Sequence, residues 1–366
     1  MSNIVVSGYY GSKNAGDEAM LAAMIEVLSD LDPKLNITVI SANPADTMKR
    51  HGVNAVSWLA FGDIIKVLRA ADLMISGGGS LLQNVTSGRS LYYYLGIIRL
   101  AEFLGTPVML YAQGIGPVCG SFARHFMTAI SSRVSLITVR DRGSLGELES
   151  LSVTRPPIMV TADPVLAIHP TDREIGRAIL RKYHASGAKP IIGISVREWR
   201  GWTRYKKAIA EAASRIVREC DARVVFFPMQ YPEDVAAAKT IAAEAKEPVT
   251  VLDDEYMTSE LLSLVGNFDL LIGIRLHALI FAGVMGVPMI GISYDPKIDR
   301  FLDSLGEKPV ANLESLTADA LVEKVRDVWK SREAFKHHNE EILHDLRSLA
   351  AKNAELALKI IHDRKR

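Results

Sequence analysis

The sequence predicts an α/β protein of two doubly wound domains in tandem, facing each other across a cleft, with a long C-terminal helix. Three observations lead there. Short apolar runs alternate with helical patterns through the first half, which is the signature of βαβ units and a parallel sheet. The alternation breaks between residues 167 and 190 and then restarts. At 366 residues the chain is also longer than a single hydrophobic core usually grows.

Residues 3–7, 36–41, 72–76, 107–112, 136–139 and 159–161 are short apolar runs that read as buried strands. Helical patterns cover 17–31, 91–104 and 122–134. The strands end in loops of unusual composition, GYYGSKNAGDE, GGGSLLQNVTSGRS, QGIGP, RDRGS and ADP. Parallel strands bring such loops to one edge of a sheet. The break holds His169-Pro170, a helix-like stretch over 172–184 and SGAKP, which is loop chemistry. Strands then follow at 191–196, 223–227, 249–252, 270–273 and 288–293, with helices at 206–220, 232–246 and 257–265. The expected division is a first Rossmann-like domain over 1–170, a hinge over 171–189, a second domain over 190–330 and a helix over 331–366. That helix carries apolar residues at Ile342, Leu346, Leu349, Leu356 and Ile360 and packs on the body. Two such halves with facing strand ends are the architecture of the GT-B glycosyltransferases.

Composition narrows the function. Hydrophobic residues at 48% and charged residues at 23% suit a soluble globular protein. Net charge is +1, so overall balance does not suggest nucleic acid. Cys119 and Cys220 lie far apart without ligand spacing, which fits a reducing compartment and indicates neither a disulfide framework nor a zinc site. NIVVSG opens directly as a strand with no leader pattern, and no apolar run approaches the roughly 20 residues of a membrane span. The expectation is a cytoplasmic protein.

The stretch DLLIGIRLHALIFAGVMGVPMIGISYDPK, residues 269–297, concentrates the chemistry. It reads as strand, helix and strand, with Arg275 and His277 set in an otherwise apolar run at the first junction and Lys297 after the second strand. Ligands of open α/β sheets bind beyond the carboxyl ends of strands, where free helix N–H groups attract anions. The three residues therefore mark an anion site, against the plainer reading of a core histidine and a surface ion pair. The loop after Val196 puts Arg197, Trp199, Arg200, Trp202 and Arg204 into eight residues. Guanidinium forks bind carboxylate or phosphate, and indoles stack on sugars or cations. A solvated basic loop is the alternative. Arg140 and Arg142 add positive charge on the opposite wall of the cleft.

The loop with Gly8, Gly11, Asn14, Gly16 and Asp17 matches neither the dinucleotide fingerprint nor a Walker A loop, but its glycines permit close backbone approach to a ligand. Asp17 either faces that ligand or complements the positive end of the next helix. Gly78, within Gly77-Gly78-Gly79-Ser80, reads as a second backbone-approach position, and Gln113 as a polar rim or only a turn.

GYYGSKNAGDEAML, GGGS, QGIGP, VRDRGS, TADP, SVREW and GIRLHALIFA, in that order over roughly residues 3–300, resemble the polysaccharide pyruvyl transferase family, close to enzymes that pyruvylate secondary cell-wall polymer precursors in S-layer bacteria. The resemblance implies a GT-B-like fold, phosphoenolpyruvate as donor on the C-terminal domain, and a polyprenyl-diphosphate-linked amino-sugar disaccharide as acceptor against the N-terminal one. Ketal formation needs an acid for the methylene carbon, cations for carboxylate and phosphate, and a base for the hydroxyls. His277 is assigned proton transfer. Arg197, Arg275 and Lys297 are assigned the anionic groups, and Arg140, Asn14, Asp17, Gly78, Gln113 and Trp199 the substrates. No metal or cofactor is expected. The acceptor implies peripheral contact with the inner membrane leaflet, for which Lys336, Arg347, Lys352, Lys359 and Arg364-Lys365-Arg366 offer positive charge. Two alternatives stay open. A GT-B glycosyltransferase or sugar-nucleotide epimerase could read a ribose with Asp253-Asp254-Glu255, and a two-domain ligand-binding protein would need no catalysis.

Overall fold

The computed structural model describes residues 2–85, 88–199 and 201–364, so Arg200, Lys365 and Arg366 lie outside the described residues. The chain forms two compact units, one from the N-terminus to Ile168 joined by Leu346 onward, the other from His169 to Asp345.

The first unit holds strands β1 (Asn3–Ser7), β2 (Asn36–Ser41), β3 (Asn54–Ser57), β4 (Leu73–Gly77), β5 (Val108–Gln113), β6 (Leu136–Val139) and β7 (Ile158–Val160). They form one sheet in the order β3-β2-β1-β4-β5-β6-β7, with every pairing parallel. The crossovers are helices α1 (Ala15–Leu31), α2 (Pro44–His51), α3 (Phe61–Ala70), α4 (Gly88–Phe103), α5 (Ser121–Ser131) and α6 (Arg142–Ser150). Both faces are covered, which is why the strands read as unbroken apolar runs. Val5, Met74, Leu110 and Ile137 point toward α3, α4, α5 and α6. Ile4, Val6, Leu73 and Ile75 point to the side of α1 and of the chain's last helix.

The second unit repeats the plan. Strands β8 (Ile191–Ser195), β9 (Arg223–Phe226), β10 (Thr250–Val251), β11 (Leu270–Gly273), β12 (Met289–Ser293) and β13 (Ala311–Asn312) form a parallel sheet in the order β10-β9-β8-β11-β12-β13. Helices α7 (Glu174–Lys182), α8 (Arg204–Cys220), α9 (Glu233–Glu244), α10 (Thr258–Val265), α11 (Leu276–Met285) and α12 (Pro296–Ser304) surround it. In each sheet the strand order reverses once, between β1 and β4 and between β8 and β11. Such a switch point is where an open α/β sheet leaves room for a ligand.

The segment 171–189, expected as a hinge, folds with the second unit. The amide of Gly176 in α7 donates to Ser263 Oγ in α10 at 2.7 Å, and a Cβ at Gly176 would meet the Ser263 carbonyl at 2.3 Å. The last helix, α13, runs from Ala318 to Arg364, starting well before the expected boundary and passing from the second unit into the first. Its buried stripe in the first unit is Ala350, Ala354, Ala357, Leu358 and Ile361, whereas Leu349 is 37% exposed. Small side chains let the helix approach the sheet closely, so alanines rather than the anticipated leucines form much of the contact. Asn353, fully buried among them, pairs with Thr161 Oγ1 at 2.9 Å.

Candidate functional site

At the switch point of the first unit, the β1 and β4 loops interlock. Asn14 caps α1, accepting from the amides of Gly16 and Asp17 at 3.0 and 3.4 Å, which satisfies helix donors otherwise left open. Asp17 stands in the first turn, as the dipole favours, and its Oδ1 lies 3.1 Å from where a Cβ of Gly79 would sit. Gly78 adopts φ +65°, and a Cβ there would meet Met20 Sδ at 2.9 Å. Only glycine meets both demands at low cost. Glu18, beside Asp17 in the first turn of α1, is buried. It takes the Gly11 amide on one oxygen at 2.8 Å and His51 Nε2 on the other at 2.7 Å.

Gln113, read as a polar rim or a turn, and Arg140, read as charge on a cleft wall, both turn inward. Gln113 is fully buried at the end of β5, where its amide donates to the Ser76 carbonyl at 3.0 Å. Arg140 has a side chain only 6% exposed, paired with the equally buried Asp163 at 3.0 Å and donating to Ser80 Oγ at 3.1 Å. It fastens the loops after β4, β6 and β7 to one another, and it does so as an internal tie rather than as an exposed cation on a wall. Asp163, from the TADP turn, is the partner that makes a buried guanidinium tolerable.

The second unit brings together what the sequence grouped. The ends of β8, β11 and β12 are adjacent, with Gly273 registered against Ser195 on one side and Gly291 on the other. Arg197 and Trp199 follow β8, Arg275 and His277 follow β11, and Tyr294 and Lys297 follow β12. Tyr294 is the centre the sequence reading missed. The Arg197 guanidinium lies 4.7 Å from its ring centroid and 4.9 Å from that of Trp199, and donates to the Tyr294 hydroxyl. The two rings are 4.8 Å apart, and Lys297 Nζ lies 5.4 Å from the Tyr294 centroid. An aromatic immediately after a buried strand, three residues before a lysine, is the signal that marked it. The Arg197 carbonyl accepts the Tyr205 hydroxyl at 2.5 Å, and burial, aided by nearby Glu198, pushes that hydroxyl's pKa up, so it remains a donor. Glu198 in turn takes Lys206 Nζ at 2.6 Å, tying the loop to α8.

Arg275 forms a two-point fork with Asp234, Nε to Oδ2 at 3.1 Å and the second contact at 2.5 Å. Asp234 is completely buried and also accepts the amides of Met229 and Gln230 at 3.1 and 2.8 Å. Most of the guanidinium is thus committed to holding the β9–α9 loop against the end of β11. Arg275 also takes the N-cap position of α11 without capping the helix through its side chain, so the first-turn amides keep their pull on an anion. His277 stands in that turn, half-buried, with Nε2 out of solvent. Lys297 follows Pro296 at the start of α12, its amide held by the N-cap Asp295, whose other oxygen is 3.6 Å from Lys297 Nζ. The resulting surface offers two cations, an open helix end, an indole and an imidazole. Such a set has the chemistry to suit a small dianionic or trianionic molecule and a proton transfer beside it.

The acidic run considered for ribose recognition has other partners. Asp253 holds Tyr183 and Lys239 at 2.8 Å, and Asp254 holds Lys182 at 2.5 Å. These hydrogen bonds keep both carboxyls below the usual carboxylate range. Among the described residues no group of three or more His, Cys, Asp or Glu is placed to hold a metal, and no helix is long and apolar enough to cross a membrane.

A family model described as polysaccharide pyruvyl transferase matches residues 14–296, ending one residue before Lys297. The amylovoran biosynthesis protein AmsJ of Erwinia amylovora is 22% identical over 311 residues, covering 80% of this chain and 74% of that protein. Among solved structures, the S. aureus MnaA–UDP co-structure superposes with a TM-score of 0.67 at 11% identity, covering 96% of this chain and 94% of that one. UDP-GlcNAc 2-epimerase from Neisseria meningitidis, bound to UDP-GlcNAc, gives 0.65 at 12% identity over 98% and 100% of the two chains. A glycosyltransferase from Rickettsia africae gives 0.65 at 14% identity over 98% of each. At these identities the structural likenesses show the fold, two parallel-sheet α/β domains of the GT-B glycosyltransferase and epimerase class.

Proposed function

The chain belongs to the polysaccharide pyruvyl transferase family and is a pyruvyltransferase, and from that premise we propose that it takes pyruvate from phosphoenolpyruvate. The proposed acceptor is a sugar of a polyprenyl-diphosphate-linked disaccharide, N-acetylmannosamine ketalised at its 4- and 6-hydroxyls, destined for a secondary cell-wall polymer. The observation that carries the donor is the convergence of Arg197, Tyr294 and Lys297 beside the open N-terminus of α11. Phosphoenolpyruvate has a carboxylate and a phosphate on one carbon, and this surface supplies separate positive groups for two anionic ends.

In the proposed chemistry His277 delivers a proton to C3, turning the methylene into a methyl group and leaving cationic character at C2. One sugar hydroxyl forms a C–O bond there, the C2–O bond to phosphate breaks, and the second hydroxyl closes the ketal. The proton given to C3 and the proton carried off by phosphate balance the two lost from the hydroxyls. Arg197 and Lys297 neutralise the departing phosphate. Arg275, held by Asp234, fixes the α11 end that faces the donor.

Two outcomes test this reading. Phosphate is released from phosphoenolpyruvate only when a lipid-linked disaccharide is present, without nucleotide and in the presence of a chelator. Turnover supported by a nucleotide sugar instead would replace this reading with glycosyl transfer. Arg197→Ala weakens donor binding by roughly 10- to 100-fold, the worth of a charge-assisted hydrogen bond, as read by calorimetric titration. An unchanged dissociation constant removes Arg197 from the donor site.

A further inference from the structure

We propose that the carboxyl edge of the first unit's sheet is a membrane-docking face that seats the enzyme on an anionic lipid surface. This rests on the reading that the acceptor carries a lipid tail. Trp58, Leu59, Phe61, Tyr92 and Phe122 are 41%, 68%, 53%, 39% and 69% exposed. All five stand where α3, α4 and α5 begin, which in a parallel sheet is the edge reached by the strands' carboxyl ends. Ring contacts group the aromatics on the two flanks of α4. Trp58 packs edge-on against Tyr93 at 5.7 Å, and the Tyr93 hydroxyl donates to the Trp58 carbonyl at 3.1 Å. On the other flank Tyr92 touches Phe122 at 5.9 Å and Phe126 at 6.0 Å, and the two phenylalanines stack at 6.1 Å. The same edge carries the Gly78 loop and the turn after β5, cross-tied by Asn84 and Cys119 through two hydrogen bonds of 2.7 and 2.8 Å.

Charge identifies the occupant. The first turns of α4 and α5 contain no carboxylate, while Arg89 and His125 are exposed there. Asp63 in the first turn of α3 pairs with Lys66 at 3.1 Å. Further along, Arg99 is paired with Glu102 at 3.2 Å, and the carboxylates Glu147 and Glu149 occur only on α6, beyond α5. Amphipathic aromatics with an exposed arginine among them, and with Asp63, the one carboxylate in the first turns of α3, α4 and α5, already paired, match the interface of an anionic bilayer, where rings settle at headgroup level and guanidinium reaches phosphate. Clustered exposed apolar side chains mark contact surfaces for proteins or membranes. In the closing helix, by contrast, Arg347 donates to the Leu166 carbonyl and Arg364 to that of Gly105.

Sedimentation with phosphatidylcholine vesicles, with and without phosphatidylglycerol, tests the face using the full chain and neither substrate. The wild type sediments with the anionic vesicles, less so as salt rises. Leu59→Ser and Phe122→Ser each lower the bound fraction roughly tenfold, the transfer worth of one large apolar side chain, and leave the circular dichroism spectrum unchanged because both sites are exposed. Lys352→Ala with Lys359→Ala changes binding less than twofold. Equal binding by the wild type and the serine variants overturns the proposal, as does absence of binding by the wild type. So does a dimer, seen by light scattering, that the serine substitutions dissociate, since the face would then join two copies. Vesicle binding, together with failure to pyruvylate a lipid-linked disaccharide in a separate assay, would sink the acceptor reading and leave the docking face standing.

Discussion

Replacing His277 with glutamine lowers turnover by about 10²–10⁴-fold while the dissociation constant for phosphoenolpyruvate changes only a few-fold. The range is the usual worth of a positioned acid or base. The asymmetry follows from geometry. On the proposed reading donor charge is met by Arg197, Lys297 and the α11 amides, so removing a proton carrier leaves ground-state binding largely in place. Glutamine keeps a hydrogen-bonding group of similar size, which limits damage to a half-buried site. A core histidine of purely structural importance would behave differently, lowering melting temperature and donor affinity together. Turnover, donor affinity and melting temperature measured on one preparation separate the two cases. Near-normal turnover in the glutamine variant would mean that the acid stands elsewhere.

Asp234→Ala destabilises the second unit by about 3–5 kcal/mol, the cost of breaking a buried pair from one side. Three consequences coincide. The Arg275 guanidinium loses its fork, the amides of Met229 and Gln230 lose their acceptor, and a cavity opens at a position with no solvent exposure. Asp234→Asn retains an acceptor and most of the volume, so it falls between alanine and the wild type. Denaturant unfolding followed by circular dichroism reads the difference. A midpoint for the alanine variant indistinguishable from wild type would show that Arg275 finds another partner without cost.

The contrast between Asp234 and its neighbours shows what the sequence could and could not convey. Arg275 and His277 are legible because two polar side chains interrupt an apolar run at a strand–helix junction, a local signal that needs no knowledge of distant contacts. The partner of Arg275 lies 41 positions away in a helix start of ordinary composition, and only the folded chain brings it near. The burial of Arg140 is illegible for the same reason, since exposure depends on Asp163 and Ser80 rather than on the arginine's own neighbours. Tyr294 sits between two recognised features, yet a tyrosine beside a turn is common enough to pass as packing. The long strands were read within a residue or two because burial on both faces leaves an apolar run. β3 and β13 were missed, being four and two residues long with little apolar content.

The return of α13 to the first unit bears on how a ribosome delivers this protein. The second unit is contiguous in sequence, so it is complete soon after Asp345 leaves the exit tunnel. The first unit is the earlier to be synthesised and the later to be finished. Until Ala354, Ala357, Leu358 and Ile361 arrive, the face of its sheet bearing Ile4, Val6, Leu73 and Ile75 lacks part of its cover. Domains usually close in the order in which they are translated. Here that order is inverted, and the nascent chain carries an unfinished apolar surface through most of its synthesis.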